Sequence, residues 1–401
     1  MRVVAVISLF FISLLANPLQ EAINRAKPYD TIKLHNGTYR GPISIDKPLV
    51  ILGVGDAVSI LGNNEGSVVR IRSSDVTLKN LIIRGSGSQL YSLDAAISMK
   101  KVSSCKIIAC RLEDVLYGID MDMVENSLFK DNFITSKELP IQLRGDALKL
   151  YYSHHNSFLN NTIEKTRDVT LNYSHNNSFL GNRFFANRFA THIALSHNNI
   201  LKNNLYKYNA VSIMLMGAKD TNVSRNTLHS ARGAAGIGVM IGAVENLHLQ
   251  KNSLRYNAKA IYVDGKEKER GIKRFLEDNE IAYNAEAFHF HATIRDNQIV
   301  GNSVFGNIED VVKDTAGGYD ASNVVAYNYW DRYSGFDKDG DGIGDTPYEV
   351  YQYADKLWHH NKAIKFFYAS PLMTLLDFML QLAPFVEPTL IMRDEKARIS
   401  P

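Results

Sequence analysis

The sequence predicts an all-β chain wound as a right-handed parallel β-helix, and three observations carry that reading. One phrase recurs: Asn-Ser-Phe-Leu-Asn-Asn-Thr-Ile at 156–163, Asn-Ser-Phe-Leu-Gly-Asn-Arg-Phe at 177–184, and Asn-Ile-Leu-Lys-Asn-Asn-Leu at 199–205. Its marker asparagine stands at Asn132, Asn161, Asn182, Asn204, Asn226, Asn252, Asn279 and Asn302, in steps of 29, 21, 22, 22, 26, 27 and 23 residues. A period in the low twenties is too short for helical repeats and fits a solenoid. Within each unit β-branched and aromatic residues alternate at period two, as in Asp168-Val-Thr-Leu-Asn172 and Val211-Ser-Ile-Met-Leu-Met216, so the coils are strands. Asparagine tolerates a left-handed corner, and its amide can bond to the asparagine one coil above. The ladder is therefore scaffold.

From the N-terminus, residues 1–16 hold one Arg, an apolar run from Val3 to Phe11 broken only by Ser8, then Leu14, Leu15 and Ala16-Asn17-Pro18. This is the layout of a secretory signal peptide and implies that the body is exported. Leu19, Ala22, Ile23 and Ala26 share one helical face, which suits a short helix covering the open edge of the first coil. Early coils follow at Ile43-Ser-Ile45, Val50-Ile-Leu52, Val68-Val-Arg-Ile71 and Leu81-Ile-Ile83, and regular repeats run on to about Tyr327. Residues 17–327 thus form one β-helix domain. Cys105 and Cys110 are the only cysteines, and Cys110 lies 22 residues before Asn132, on the ladder itself. Both read as small buried residues in stacked corners, with no disulfide between them.

Residues 266–274 are a charged insertion that stretches one coil. From Asn328 the repeat stops, and residues 328–401 form a C-terminal extension. Within it Ser370 caps a helix with Pro371 at its first position and Leu372, Leu375, Leu376, Met379 and Leu382 along one side. It is too short to cross a bilayer and reads as a seal on the far end of the solenoid or a docking element, the seal preferred. Net charge is +3, from 45 basic and 42 acidic residues. No broad field of one sign points to nucleic acid or an anionic polymer, so partners must be argued locally.

The ladder register separates the two faces of each strand. Counting back from the next ladder asparagine, positions 11 and 13 hold Leu150 and Leu148, Leu171 and Val169, Ile193 and Thr191, Leu215 and Ile213, then Ile241 and Val239. These face the core, as do Met121 and Met123 in the same count. Position 12 then faces outward with Lys149, Thr170, His192, Met214 and Met240; position 10 holds Tyr151, Asn172, Ala194, Met216 and Gly242. Two further coils add Tyr262 with Asp264, and His289 with His291. The count therefore lines up His192, Met214, Met216, Met240, His289 and His291 on one outer face. Thioether and imidazole suit Cu(I), and weak exchangeable sites in a row suit transfer. A hydrophobic docking strip is the other reading of the column.

Asp337-Lys-Asp-Gly-Asp-Gly-Ile-Gly-Asp345 sets carboxylates at alternate positions around a tight glycine turn. Asp337, Asp339, Asp341, the Ile343 carbonyl and Asp345 are the ligand set of a flexible Ca²⁺ loop; Tyr348 stands where an EF-hand has its bidentate Glu, so this is not an EF-hand.

The stretch from Asn328-Tyr-Trp-Asp-Arg332 through that loop to Thr346-Pro-Tyr348 resembles the signature of the NosD family, periplasmic β-helical proteins of nitrous oxide reductase maturation. Three further stretches are similar: 31–45 with Gly37-Thr-Tyr39 and Gly41-Pro42, Leu143 to His154, and residues 370–385. The resemblance implies a non-enzymatic scaffold handling copper, transiently as Cu(I), in the periplasm at the inner membrane. It implies as partners an ABC transporter membrane subunit with its cytoplasmic ATPase, a copper chaperone, and nitrous oxide reductase, whose copper-sulfide centre is being built. It carries His192, Met216 and Met240 onto coils where the family tends to place His or Met, although Ile193-Ala-Leu195 departs from a more aromatic middle.

Two other classes compete. Tyr117-Gly-Ile-Asp120 resembles the start of the alginate epimerase motif, but Met121, Asp122 and Met123 follow, so the His and last carboxylate of that motif are missing. Asp120 and Asp122 face outward next to Lys149 and Tyr151, which keeps an enzyme acting on acidic polysaccharide, a uronate epimerase or lyase, as the alternative. A plain exported adhesion or spacer solenoid is the third, and the outward Met and His argue against it.

Overall fold

Short strands stacked in parallel register make up most of the regular secondary structure in the computed structural model, which describes residues 6–7, 17–264, 271–291, 293–315, 317–352, 367, 370–382 and 388–401. Most of the signal-peptide segment and residues 266–270 of the charged insertion lie outside the described residues. The fold is an all-β parallel β-helix. It resolves into two compact units, Met1–Ser212 and Ile213–Pro401.

In the first unit the strands Val69–Ile71, Ala95–Ser103, Tyr117–Glu125, Leu148–Tyr151, Asp168–Asn172 and Phe189–Ala194 pair in that order. Their alternation drives Met99, Met121, Leu150, Leu171 and Ile193 into one buried column, coil after coil. On another side of the coil Phe129, Phe158 and Phe179 stack at centroid distances of 4.7 and 4.3 Å. Each buried ring removes its apolar surface from water, worth about 1.5–3 kcal/mol. Over the first coil lies the helix Pro18–Arg25, capped by the Asn17 side chain accepting from the Gln20 N–H at 3.1 Å, with Leu19, Ala22 and Ile23 buried.

The asparagine ladder is present, and its bonding is regular. Asn132, Asn161 and Asn182 each donate both the backbone N–H and the side-chain amide to Oδ1 of the asparagine one coil on, at 2.8–3.1 Å. Cys110 opens it, giving its N–H to Asn132 Oδ1 at 2.9 Å. The left-handed residue, however, is the one before each ladder asparagine: Asp131, Asn160, Gly181 and Asn203 carry φ of 55, 54, 68 and 56°. The ladder residues themselves are buried. The corner bends one position earlier, which frees the ladder side chain to point inward and along the axis. Both cysteines are buried and free, and burial pushes their thiols up to about 11 for Cys105 and about 12 for Cys110.

In the second unit Ile237–Ile241, Lys259–Val263, Glu286–Phe290 and Glu309–Lys313 stack the same way. A ladder runs from Asn226 through Asn252, Asn279 and Asn302 to Asn328. It ends on a carboxylate. Asp394, fully buried, accepts from the Asn328 backbone at 3.2 Å, the Asn328 amide at 2.8 Å and the Trp330 indole N–H at 3.0 Å. Asp394 closes the strand Thr389–Asp394, which pairs antiparallel with Tyr348–Gln352 and buries Ile391 and Met392. This hairpin, and not the helix, finishes the ladder.

The helix Pro371–Leu382 forms where expected, with Ser370 Oγ accepting from the Met373 N–H at 3.3 Å. Its preferred sealing role is not what the structure has. Only Met373 is buried among its described side chains; Leu372, Leu375, Phe378, Met379 and Leu382 are each more than half exposed. No helix among the described residues is long and apolar enough to cross a membrane.

Candidate functional site

The outward register separates into two sets, one in each unit. In the first, Asp120, Lys149, Thr170 and His192 are consecutive partners. His192 is half-buried, edge-on to Phe189 at 5.9 Å, and neither ring nitrogen has a hydrogen bond among the described residues. Burial holds its pKa below the ordinary value, with Asp168 opposing and Arg188 adding to the effect. A neutral, unbonded imidazole keeps a lone pair for a metal.

Met121 lies in the core as expected, but Met123 does not. The strand turns after Asp122, Met123 takes a left-handed φ of 56°, and its side chain is 44% exposed. Period-two counting fails where the backbone leaves the extended region.

In the second unit Met214 and Met216 lie on one strand, and both are half-buried. The Gly242 N–H donates to the Leu215 carbonyl at 2.7 Å, which sets Met240 beside Met214 on the neighbouring strand. Met216 sits over Gly242: a Cβ there would meet its sulfur at 2.5 Å. One coil on, Met240 pairs with Tyr262, and Tyr262 pairs with His289. Three thioethers thus line neighbouring strands about 4.8 Å apart.

His289 departs from the expected open face. It projects away from the core, yet it is buried, because Tyr262 stacks on it at 4.9 Å and two carboxylates hold its ring. Its Nδ1 is 2.5 Å from Glu286 Oε2 and its Nε2 is 3.6 Å from Asp314. Burial works against its protonation, but the bonds to Asp314 and Glu286 win and raise its pKa. Burial would raise the Asp314 carboxyl, but its bonds to His289 and His291 hold it far below its usual range. His291 is exposed, with Nδ1 at 2.7 and 2.8 Å from the two Asp314 oxygens. An imidazole oriented through Nδ1 by a carboxylate presents Nε2 to a metal. His291 therefore has the geometry of a ligand, whereas His289 is engaged by its neighbours.

Glu286 and Asp314 escape a residue-type search for soft ligands. Their signal was positional: Phe290 pairs with Lys313, so carrying the strand count one coil further places Asp314 beside His291.

The acidic loop closes around its glycines, with Gly340 and Gly342 at φ of 78 and 83°. Asp337, Asp339 and Asp341 each bring a carboxylate oxygen within 4.8 Å of the others. Asp337 accepts from the N–H groups of Gly340, Asp341 and Gly342 at 2.6, 3.2 and 2.8 Å, and these bonds, Gly342 first, keep its pKa low. Ile343 donates its N–H to Asp341, and Asp345 instead accepts from the Lys338 N–H. Three of the five expected ligands are thus gathered in one cluster, and a triad of hard oxygens fits Ca²⁺.

Residues 130–335 match the family described as NosD, periplasmic copper-binding protein. The chain belongs to the NosD family. Two curated NosD relatives are named ABC transporter binding proteins. That from Pseudomonas aeruginosa is 29% identical over 91% of this chain and 90% of its own length; that from Stutzerimonas stutzeri is 25% identical over 88% and 84%. Among solved structures, the A-module of Azotobacter vinelandii mannuronan C-5 epimerase AlgE6 superposes with a TM-score of 0.57 at 14% identity. It covers 78% of this chain and 93% of its own. At that identity the likeness concerns the β-helix alone, and NosD membership is carried by the sequence matches.

Proposed function

We propose that this NosD-family chain is a non-enzymatic periplasmic scaffold that receives Cu(I) from a copper chaperone and presents it for assembly of the copper-sulfide centre of nitrous oxide reductase. In this reading an ABC transporter, a membrane subunit with its cytoplasmic ATPase, holds the scaffold at the inner membrane. The exposed apolar side of the helix Pro371–Leu382 is the surface assigned to the membrane subunit. Ca²⁺ at Asp337, Asp339 and Asp341 would brace the C-terminal extension.

The observation that carries the reading is the set of outward thioethers Met214, Met216 and Met240 on adjacent strands, with Met216 seated on Gly242. A methionine in a core fills space, but these three lie on the surface strip. Thioether sulfur and neutral imidazole bind Cu(I) without demanding a fixed geometry. His291, oriented by Asp314, adds a nitrogen donor to the same unit, and His192 offers another in the first. Few donors per site and several sites in series favour release over retention, which suits delivery to a client.

The test is an anaerobic Cu(I) competition titration of the mature protein against a variant with His192, Met214, Met216 and Met240 all changed to Ala. Binding that is lost in the variant is expected. Equal binding by both proteins, or none by either, removes the strip as a copper path. In cells, a strain carrying His192→Ala and Met216→Ala should yield reductase lacking its catalytic copper centre; normally loaded reductase would overturn the proposal.

A further inference from the structure

In the first unit the outward strip that leads to His192 begins with five positions that the copper reading leaves unused. In register it runs Arg70, Ser98, Asp120, Lys149 and Thr170 along the outer face of one sheet. At its N-terminal end a cleft of about 520 Å³ opens beneath the 85–94 loop, lined by Arg70, Arg72 and Lys100 with Ser88 and Gln89. Lys100 pairs with Asp122 at 3.1 Å, whereas Arg70 and Arg72 make no ion pair among the described residues. Of the two acids in the lining, Asp94 is buried and accepts from the Gln89 N–H at 2.9 Å and Ser92 Oγ at 2.7 Å, and Glu65 is exposed at the rim. The cleft is therefore left with two guanidinium groups free to take an anion.

Three and four coil steps along, aromatic rings stand beside the strip at the next corner. Tyr152 and Tyr173 stack at 5.2 Å with planes 10° apart, and Tyr151 stands edge-on to Tyr152 at 4.7 Å. All three are about two-fifths exposed, and Lys149 Nζ lies 5.7 Å from the centre of the Tyr151 ring. At about 4.8 Å per coil, the stacked tyrosines stand about 14 and about 19 Å along the axis from the arginines.

We propose that this strip is a binding groove for a linear, carboxylate-bearing oligosaccharide of the uronate type. A planar guanidinium pairs with a carboxylate through two parallel bonds, and serine and glutamine side chains suit ring hydroxyls. The exposed tyrosine faces are flat apolar surfaces with a polar tip, which suits the C–H face of a pyranose. Cations at Arg70, Arg72 and Lys149 and the ring faces of Tyr152 and Tyr173, spaced along one axis with Asp120 between them, suit a repeating sugar acid whose carboxylates meet the cations at intervals. The groove binds, and no bond is made or broken there.

The experiment is calorimetric titration of the metal-free mature protein with an alginate hexasaccharide and, separately, with neutral maltohexaose. Two double variants accompany it, Arg70→Gln with Arg72→Gln and Tyr152→Ala with Tyr173→Ala, all four side chains lying at the surface and each variant checked for native circular dichroism. The alginate hexasaccharide should bind, at least tenfold more weakly in each variant, and maltohexaose should not bind. Failure of the folded native protein to bind alginate overturns the proposal, as does equal binding of maltohexaose or unchanged affinity in both variants. Alginate cleaved or epimerised during the titration would also overturn it, because the groove would then be catalytic. Partner-protein capture lost in the variants without alginate binding would reassign the strip to protein docking.

Discussion

Met216 lies so close over Gly242 that the glycine's missing side chain is what leaves room for it: an added Cβ would stand 2.5 Å from the sulfur and 3.0 Å from its methyl carbon. A thioether held against backbone has fewer rotamers to lose when it takes a metal, so the glycine acts on the ligand without touching copper.

Gly242→Ala should therefore displace Met216 and weaken Cu(I) binding about tenfold, which corresponds to about 1.4 kcal/mol. The contact is with the far end of a flexible side chain, so stability should change by less than about 1 kcal/mol. Competition titration alongside thermal unfolding checks both halves, and unchanged Cu(I) affinity would show that Met216 is not a ligand.

Asp394→Ala should loosen the end of the second unit. It leaves the Asn328 backbone N–H and the Trp330 indole N–H without an acceptor, each buried donor costing about 1–3 kcal/mol, while the Asn328 amide keeps the Ile299 and Ala326 carbonyls. Trp330 fluorescence should respond at lower denaturant than probes in the first unit, as expected where neighbouring coils contribute stability locally. Coincident, unshifted transitions would argue against the cap.

Acid should loosen the first unit through stacked histidines. His154 Nδ1 accepts from the His175 N–H at 3.0 Å and His175 Nδ1 from the His197 N–H at 2.9 Å, the rings stacking at 5.0 and 4.8 Å. Burial holds both pKa values below 6.5; Glu125 opposes this at His154, His155 adds to it there, and neighbouring imidazoles add to it at His175. With the folded pKa depressed, the native state binds fewer protons than the unfolded one. The contribution is then fully present above about pH 6.5 and is lost as pH falls through the folded values. Unfolding at pH 5 and 7.5 should show a steeper loss than in a His154→Asn, His175→Asn variant; parallel profiles would refute the ladder's role.

Ca²⁺ should raise the melting temperature of the second unit, and Asp337→Asn should abolish the increment. A chelator titration followed by Trp330 fluorescence reads it directly. An equal melting temperature with and without Ca²⁺ would reduce the loop to an Asp–Gly turn held by its own N–H donors.

The fold was legible because a solenoid repeats its contacts: the near-equal spacing of Asn161, Asn182 and Asn204 is at once a sequence pattern and a hydrogen-bond pattern. Strand alternation likewise placed His192, Met214, Met216 and Met240 off the core. It misplaced Met123, where a left-handed corner ends the alternation, and it gave no sign that His289 would be covered. Whether the C-terminal helix sealed the solenoid was equally undetermined, since a chain of leucines at helical spacing looks the same packed or bare.

By itself the sequence determined the coil period, the inward and outward sides of each extended strand, and the residue types on the surface strip, because these depend on neighbours at fixed short intervals. Tertiary structure alone decided that Asp394 receives a ladder ending 66 residues earlier at Asn328, that Gly242 makes the seat for Met216, and that Asp314 leaves His291 open while His289 is enclosed. Those outcomes depend on loops of unequal length bringing distant residues into contact, and on the competition between burial and charge at each site, neither of which a repeat records.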